Sequence, residues 1–292
     1  MKKIIKYFAL TFSLTLNLFS QTGKPFFEQF KFTVALVETV ITKNPKGDFI
    51  LTPIGTAFWV SDSSSDASVL VSNKHVFGNS SEIVLSQYSS SGQTSALIVI
   101  QLKDKNGNKL WVEHPDSMTD IAAIKVKYFQ RIGQLRAEII QISTKMFAKS
   151  DEIIEGDDVF ILGFPMGIRT SSKSFPLVRS GVLSLKPTED FLILPNGGII
   201  GRNIYLLDAN ILGGNSGSPV FLKPVVNRPF LNPRELGRIT QPKLIGIVSA
   251  YVNDFLPLVK AQPSIYAQGN SGITIVHRSE EILKVVMMAL KK

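Results

Sequence analysis

The sequence predicts an all-β protein: two packed antiparallel barrels in tandem, followed by one terminal helix. Three observations carry that expectation. Short β-type runs follow one another at intervals of about 10 to 20 residues from Phe32 onward. Strong helical patterning is confined to residues 279–292, apart from weak helical character near 129–149. The runs also fall into two similar sets, joined near residues 130–150.

The first twenty residues, MKKIIKYFALTFSLTLNLFS, read as an export signal. Lys2, Lys3 and Lys6 form a basic start, Tyr7 to Phe19 is mostly apolar, and the small Ser20 suits the last position before cleavage. The apolar stretch falls short of the roughly 20 residues that span a bilayer, and no later stretch qualifies. The mature chain is therefore expected to be periplasmic or secreted, without a stable membrane span; a retained amphipathic anchor is the alternative. The whole chain carries 32 Lys and Arg against 23 Asp and Glu, and loss of the segment leaves 29 − 23 = +6. No nucleic-acid partner is expected, because no run of Lys and Arg interleaves with aromatics.

The first strand set is TVALVETVI, FILTPIGTAFWVS, SVLVSN, EIVLSQY and ALIVIQL. Asn106-Gly107, between LIVIQLKD and KLWVEHP, predicts a tight hairpin turn whose central residues both take positive φ. After IAAIKV and the more polar 129–149 stretch, the second set runs DDVFILGF, PLVRSGVLSL, FLILPNGGII, NIYLLDANI, PVFL, KLIGIVSAYV and GITIV. Asn196-Gly197 marks another hairpin. Ser279 is expected to cap the terminal helix, with Glu280 and Glu281 in its first turn and Lys291 and Lys292 in its last, all favourable to the helix dipole. These readings place the first barrel at about 30–130, the second at about 150–278 and the helix at 279–292, with no chain left for an appended peptide-binding module.

Composition narrows the chemistry. With 44% hydrophobic and 19% charged residues the chain is neither disordered nor low-complexity. The absence of cysteine removes disulfide scaffolds, thiol nucleophiles, Cys-ligated zinc and iron–sulfur clusters. Imidazole chemistry has three candidates only, His75, His114 and His277.

The segment Gly213-Gly214-Asn215-Ser216-Gly217-Ser218-Pro219 lies between two β-type runs. Glycines let the backbone bend sharply and approach a ligand, and the N–H groups of Gly214 and Ser216 are positioned to converge as an oxyanion hole requires. All its residue types also form ordinary turns. His75 follows a strand in VLVSNKHVF, where an imidazole is held rigidly at a cleft and can accept a serine proton. Asp120, in HPDSMTDIAAIKV, abuts an apolar run, where a carboxylate can fix the imidazole tautomer or simply cap the strand.

These pieces resemble the trypsin-like (chymotrypsin-fold) serine peptidases, especially the cysteine-free bacterial branch related to the HtrA proteases. GTAFWVS, LVSNKHVF, HPDSMTDIAAIKV, ILGFPMG, DANILGGNSGSPVF, LIGIVSAYV and SGITIV occur in that family's order over roughly residues 33–290. The resemblance implies two six-stranded barrels and an endopeptidase with His75, Asp120 and Ser216 as its triad. It implies an oxyanion hole at Gly214, Asn215 and Ser216, with Asn215 as the spacer between the two donors. It further implies no cofactor, no metal, and protein or peptide substrates. Asn210 resembles the base of the primary pocket, where a neutral amide argues for apolar or small side chains rather than Lys or Arg. Ser249, Ala250 and Tyr251 resemble the strand that pairs with substrate backbone. Lys74 and Ser218 depart from the family pattern at tolerant positions, and Asn215 replaces the aspartate that pairs with a freed amino terminus in other members.

Several alternatives stay open on sequence alone. Asp116 rivals Asp120. His114 with Asp116 raises a metal site, against which a solvent-facing loop histidine is expected; His277 reads as structural. Lys223, Arg228, Arg234, Arg238 and Lys243 make a basic stretch that reads as a solvated loop rather than a docking surface. Ser216, Asp254 and His277 mimic an α/β-hydrolase order, but Ser218 breaks G-x-S-x-G and helices are sparse. A catalytically silent peptide-binding protein on the same fold is the alternative from another functional class.

Overall fold

The computed structural model describes residues 26–43, 49–88, 96–126, 130–132, 139–170, 173–189, 191–193, 198–224, 241–257 and 266–292. The export segment, the Asn196-Gly197 turn and the arginines of the basic 223–243 stretch lie outside the described residues.

A short helix α1 (Phe26–Phe30) leads into the first half, whose strands are β1 (Val34–Lys43), β2 (Phe49–Asp62), β3 (Ser65–Ser72), β4 (Glu82–Gln87), β5 (Ala96–Gln101), β6 (Val112–Glu113), β7 (Ala122–Val126), β8 (Gln130–Ile132) and β9 (Ile142–Ser143). A one-turn helix α2 (Lys74–Phe77) follows β3. These strands form one sheet in the order β6-β7-β3-β2-β1-β4-β5-β8, with β9 on β2. This half is a half-barrel: among the described residues no ladder joins β7 to β5 or β8. The edge strand on β7, β6, has two residues and follows a loop. There the Asp104 carboxylate accepts the N–H groups of Asn106 and Asn108, both at 2.8 Å. Only Gly107 of the expected turn has positive φ, so the turn is wider than the two-residue hairpin expected.

The second half, β10 (Asp158–Gly163), β11 (Leu177–Leu185), β14 (Ile204–Asp208), β15 (Pro219–Leu222), β16 (Lys243–Pro257) and β17 (Tyr266–Arg278), closes as a six-stranded barrel in the order β10-β11-β14-β17-β16-β15. The hairpin β12 (Phe191–Ile193) and β13 (Gly198–Gly201) stands apart. No α-helix forms at 139–149; β9 and a 3₁₀ turn at Thr144–Met146 occupy it. The all-β architecture excludes the α/β-hydrolase alternative.

The continuous apolar runs have a physical cause in double burial. On β2, Ala57 and Trp59 face the core of the first half, while Phe58 and Val60 face a second cluster shared with the other half. On β10, Val159 and Ile161 face the barrel core and Phe160 and Leu162 the shared cluster. Strands apolar on both faces lose the two-residue alternation of a half-exposed sheet. In the shared cluster the rings of Phe160 and Phe221 stack with centroids 4.9 Å apart, and Phe30 of α1 joins them. Helix α3 (Ser279–Lys291) adds Ile282, Val285, Val286 and Ala289, spaced to share one helix face. Ser279 is the first helical residue rather than the cap. It is fully buried, and its hydroxyl donates to the Ala148 carbonyl at 2.8 Å.

Candidate active site

The GGNSGSP segment forms the connection from β14 to β15. Gly214 and Gly217 have φ of 91° and 87°, in the left-handed region. A Cβ on Gly217 would lie 1.9 Å from the Thr56 carbonyl oxygen, and one on Gly214 2.5 Å from that of Phe164. Both positions therefore require glycine for space as well as conformation. The loop docks on the first half through buried Thr56. The Thr56 N–H donates to the Ser216 carbonyl at 2.8 Å, and its hydroxyl donates to the Gly214 carbonyl at 2.9 Å while accepting the Phe164 N–H.

The remaining amides of the loop are divided between use and availability. The N–H groups of Asn215, Gly217 and Ser218 donate to Leu212, Val248 and Asn215 carbonyls. Those of Gly214 and Ser216 donate to nothing among the described residues. Two free donors flanking an occupied one is the pattern an oxyanion hole needs. Asn215 lies between these two donors, with its amide committed to the Leu212 carbonyl and its side chain fully buried. Ser218 fits because its hydroxyl takes the space that a Cβ on Gly163 would fill, 2.0 Å from that point.

His75 sits in α2, just past β3. Its Nδ1 lies 2.5 Å from Asp120 Oδ2, and its backbone N–H donates to Asp120 Oδ1 at 3.3 Å. Half of the imidazole side chain is exposed (52%), so the ring faces solvent from a fixed base. Asp120 ends the loop that precedes β7. Asn73 Nδ2 donates to its carbonyl at 2.6 Å, and His277 Nε2 accepts its N–H at 3.0 Å. Lys74 Nζ donates to the Asp116 carbonyl of the same loop.

Ser249 connects the two loops. Its hydroxyl lies 3.5 Å from Asp120 Oδ2, and its carbonyl accepts the Ser216 hydroxyl at 3.4 Å. Both contacts are long. The structure brings Ser216, Ser249, Asp120 and His75 into one network, yet joins Ser216 Oγ to Ser249 rather than to the imidazole. Burial opposes ionisation of Asp120, but the hydrogen bonds and charge of His75 outweigh it and hold the carboxyl below its ordinary value. Burial pushes His277 down to about 4, against the pull of the Asp120 carboxylate.

Asp116 is not a third member. Its carboxylate accepts the Met118 N–H and the Thr119 hydroxyl of its own loop. His114 is buried rather than solvent-facing: Nε2 lies 2.7 Å from Glu281 Oε2 of α3, and Nδ1 accepts the Asp116 N–H. A long-range carboxylate partner draws it inside, which loop composition could not reveal. Among the described residues no cluster of His, Asp and Glu forms a metal site.

Asn210 is exposed and accepts Asn270 Nδ2 at 3.2 Å, so the amide has an amide neighbour and no charge. On β16, pairing with β15 ends at Ile247, and from Ala250 onward that edge has no strand partner among the described residues. Ser249, Ala250 and Tyr251 lie at this free edge, where an extended peptide can add as a strand. Of the basic stretch, described Lys243 pairs with Glu152.

Thr56, Asn73, Lys74 and His277 support the site without a local signal in the sequence, and Ser249 carries only the signal of peptide pairing. Their partners lie 158, 47, 42, 157 and 129 residues away, and no local pattern signals such contacts.

No curated protein matches the sequence. Among solved structures, the chain is similar to the inactive form of Rv3671c from M. tuberculosis H37Rv, at 15% identity and TM-score 0.47, covering 92% of each chain. It is also similar to the apo MamO protease domain from Magnetospirillum magneticum, at 14% identity and TM-score 0.48, covering 88% of this chain and 97% of that one. Residues 55–223, more than half of the chain and spanning His75, Asp120 and Ser216, match the trypsin-like peptidase domain; the chain belongs to that family and is a serine-type peptidase.

Proposed function

We propose that the protein is an exported endopeptidase in which Ser216 is the nucleophile, His75 the general base and Asp120 the orienting carboxylate. The observation that carries the reading is the short His75 Nδ1–Asp120 Oδ2 contact, 2.5 Å, on a ring whose other face is open. With Asp120 ionised and bonded to Nδ1–H, Nε2 is the unprotonated nitrogen. Ser216 Oγ attacks the scissile carbonyl carbon while its proton passes to Nε2. The resulting oxyanion is bound by the free N–H groups of Gly214 and Ser216. Collapse of the tetrahedral species breaks the C–N bond as His75 returns the proton to the leaving amine. Water, deprotonated by His75, then hydrolyses the acyl-enzyme and restores the Ser216 hydroxyl.

In the free form the Ser216 hydroxyl rests on the Ser249 carbonyl, a long bond it exchanges for the imidazole when substrate binds; catalytic hydrogen bonds commonly tighten only in the complex. The same observation supports a second reading, a silent peptide binder on this fold. A fluorophosphonate probe separates them. The peptidase labels at Ser216 and Ser216→Ala does not, with turnover falling on the order of a millionfold. Unlabelled, folded wild-type protein that retains peptide affinity supports the binder.

The uncharged Asn210–Asn270 pair supports cleavage after apolar or small side chains. A profile dominated by Lys or Arg at the cut overturns that preference. Export rests on the Lys2–Ser20 pattern, and an N-terminus beginning at Gln21 in protein recovered outside the cytoplasm tests it.

A further inference from the structure

All three histidines of the chain bond the loop that ends in Asp120. His75 holds the carboxylate, His114 accepts the Asp116 N–H, and His277 accepts the Asp120 N–H. His277 is the penultimate residue of β17, paired with Ile204 of β14 and Ile247 of β16, and 2% exposed. With Nε2 as acceptor, the one proton of the neutral ring resides on Nδ1, which has no hydrogen-bond partner among the described residues. A buried N–H without an acceptor is unfavourable. A hydrocarbon of similar volume would avoid that cost, but it could not accept the Asp120 amide.

We propose that His277 is a positioning residue for the peptidase reaction: its unprotonated Nε2 fixes the Asp120 peptide so that the carboxylate stays aimed at His75. The inference rests on the triad reading above. The backbone N–H and the side chain of Asp120 are thereby held by two different imidazoles, one buried and one in the cleft. The groups that act on His277 are the Asp120 and Glu281 carboxylates, which favour the charged ring, and His114 and Lys74, which oppose it; burial dominates and keeps it neutral to about pH 4. Protonated, the ring would set an N–H against the Asp120 N–H, and the acceptor would be lost.

The test compares full-length wild type, His277→Leu and His277→Gln in fluorophosphonate labelling, kcat and KM on one peptide substrate, and thermal melting. The leucine fills the site without an acceptor; the glutamine carbonyl restores one. His277→Leu is expected to lower kcat about 10- to 100-fold with KM within twofold, the scale of a misplaced catalytic group. His277→Gln is expected to recover most of the loss. The low-field proton resonance of the short His75–Asp120 hydrogen bond should move in the leucine variant and return in the glutamine variant. If the leucine variant does not fold, the pH profile decides: wild-type kcat should fall more steeply than that of His277→Gln as pH drops toward about 4. A folded leucine variant with wild-type kcat, equal losses in both variants, or matching acid limbs overturns the assignment. Wild-type protein that takes no probe overturns the triad reading itself.

Discussion

The loop of the proposed nucleophile Ser216, residues 209–218 (the nucleophile loop), and the loop of the proposed orienting carboxylate Asp120, residues 114–120 (the acid loop), reach one site by different physical means. The nucleophile loop depends on glycine backbone at the points where it docks on its neighbours. Positive φ at Gly214 and Gly217, and Cβ positions that would collide with the Phe164 and Thr56 carbonyls, make glycine a requirement at both places. The acid loop contains no glycine and is held from outside: Asn73, Lys74 and His277 each bond its backbone, while His114 of the loop itself accepts the Asp116 N–H. A loop fixed by backbone geometry should fail abruptly when a methyl group is added. A loop fixed by surrounding side chains should fail by degrees, and with pH.

The largest effect expected from this contrast is at Gly214. Gly214→Ala forces the chain away from Phe164 and displaces a free N–H, so kcat should fall about 10²- to 10³-fold, the range for loss of one oxyanion donor. Steady-state kinetics on a peptide or ester substrate checks it, and near-wild-type kcat would mean that this amide takes no part.

The next effect belongs to the acid loop and is a pH dependence of stability. The folded value of His277, about 4, lies below the ordinary 6.5, so the unfolded chain binds the proton more readily. The stability contribution is complete above about pH 6.5 and is lost as pH falls toward 4, by about 3 kcal/mol. Denaturant unfolding from pH 7.5 to 4 measures it, and His277→Gln should flatten that part of the curve.

Thr56→Val tests the join between the nucleophile loop and the first half. It removes a hydroxyl that donates to Gly214 O and accepts from Phe164 N, and should cost about 1–3 kcal/mol because the buried Phe164 N–H and the half-buried Gly214 carbonyl lose their partner. Calorimetry reads the stability, and kcat should fall with it.

The smallest effect has the opposite sign. Met166, 65% exposed, holds φ 53° while its N–H donates to the Gly213 carbonyl at 2.5 Å. Met166→Gly should raise stability by about 1 kcal/mol or less, since release of left-handed strain exceeds the entropy that glycine loses on folding. A lower melting temperature would show that the methionine side chain contributes packing instead.

The contrast between the loops also explains what the sequence made legible. GGNSGSP announces itself because a left-handed backbone in close quarters demands glycine at fixed spacing. His75 and Asp120 stand out because each borders an apolar strand. Their supports do not: Thr56 and Ser249 are ordinary strand residues, and nothing near His277 indicates that it faces an amide 157 residues earlier. The burial of His114 is hidden from local sequence for the same reason, since its carboxylate partner Glu281 comes from the last helix. The two halves were legible from strand recurrence, but apolar runs do not say whether a sheet closes. The open sheet ends on β6, which has two residues and follows the Asp104 loop, and neither feature is written in the apolar pattern.

The cluster built from Phe58, Val60, Phe160, Phe221 and the terminal helix belongs to both halves at once. Cutting the polypeptide between them would leave each fragment with a bare phenylalanine-lined wall, so neither should stay monodisperse when produced alone. Mixed during refolding, the two pieces should recombine, and hydrolytic activity regained by the mixture would report that this wall had re-formed.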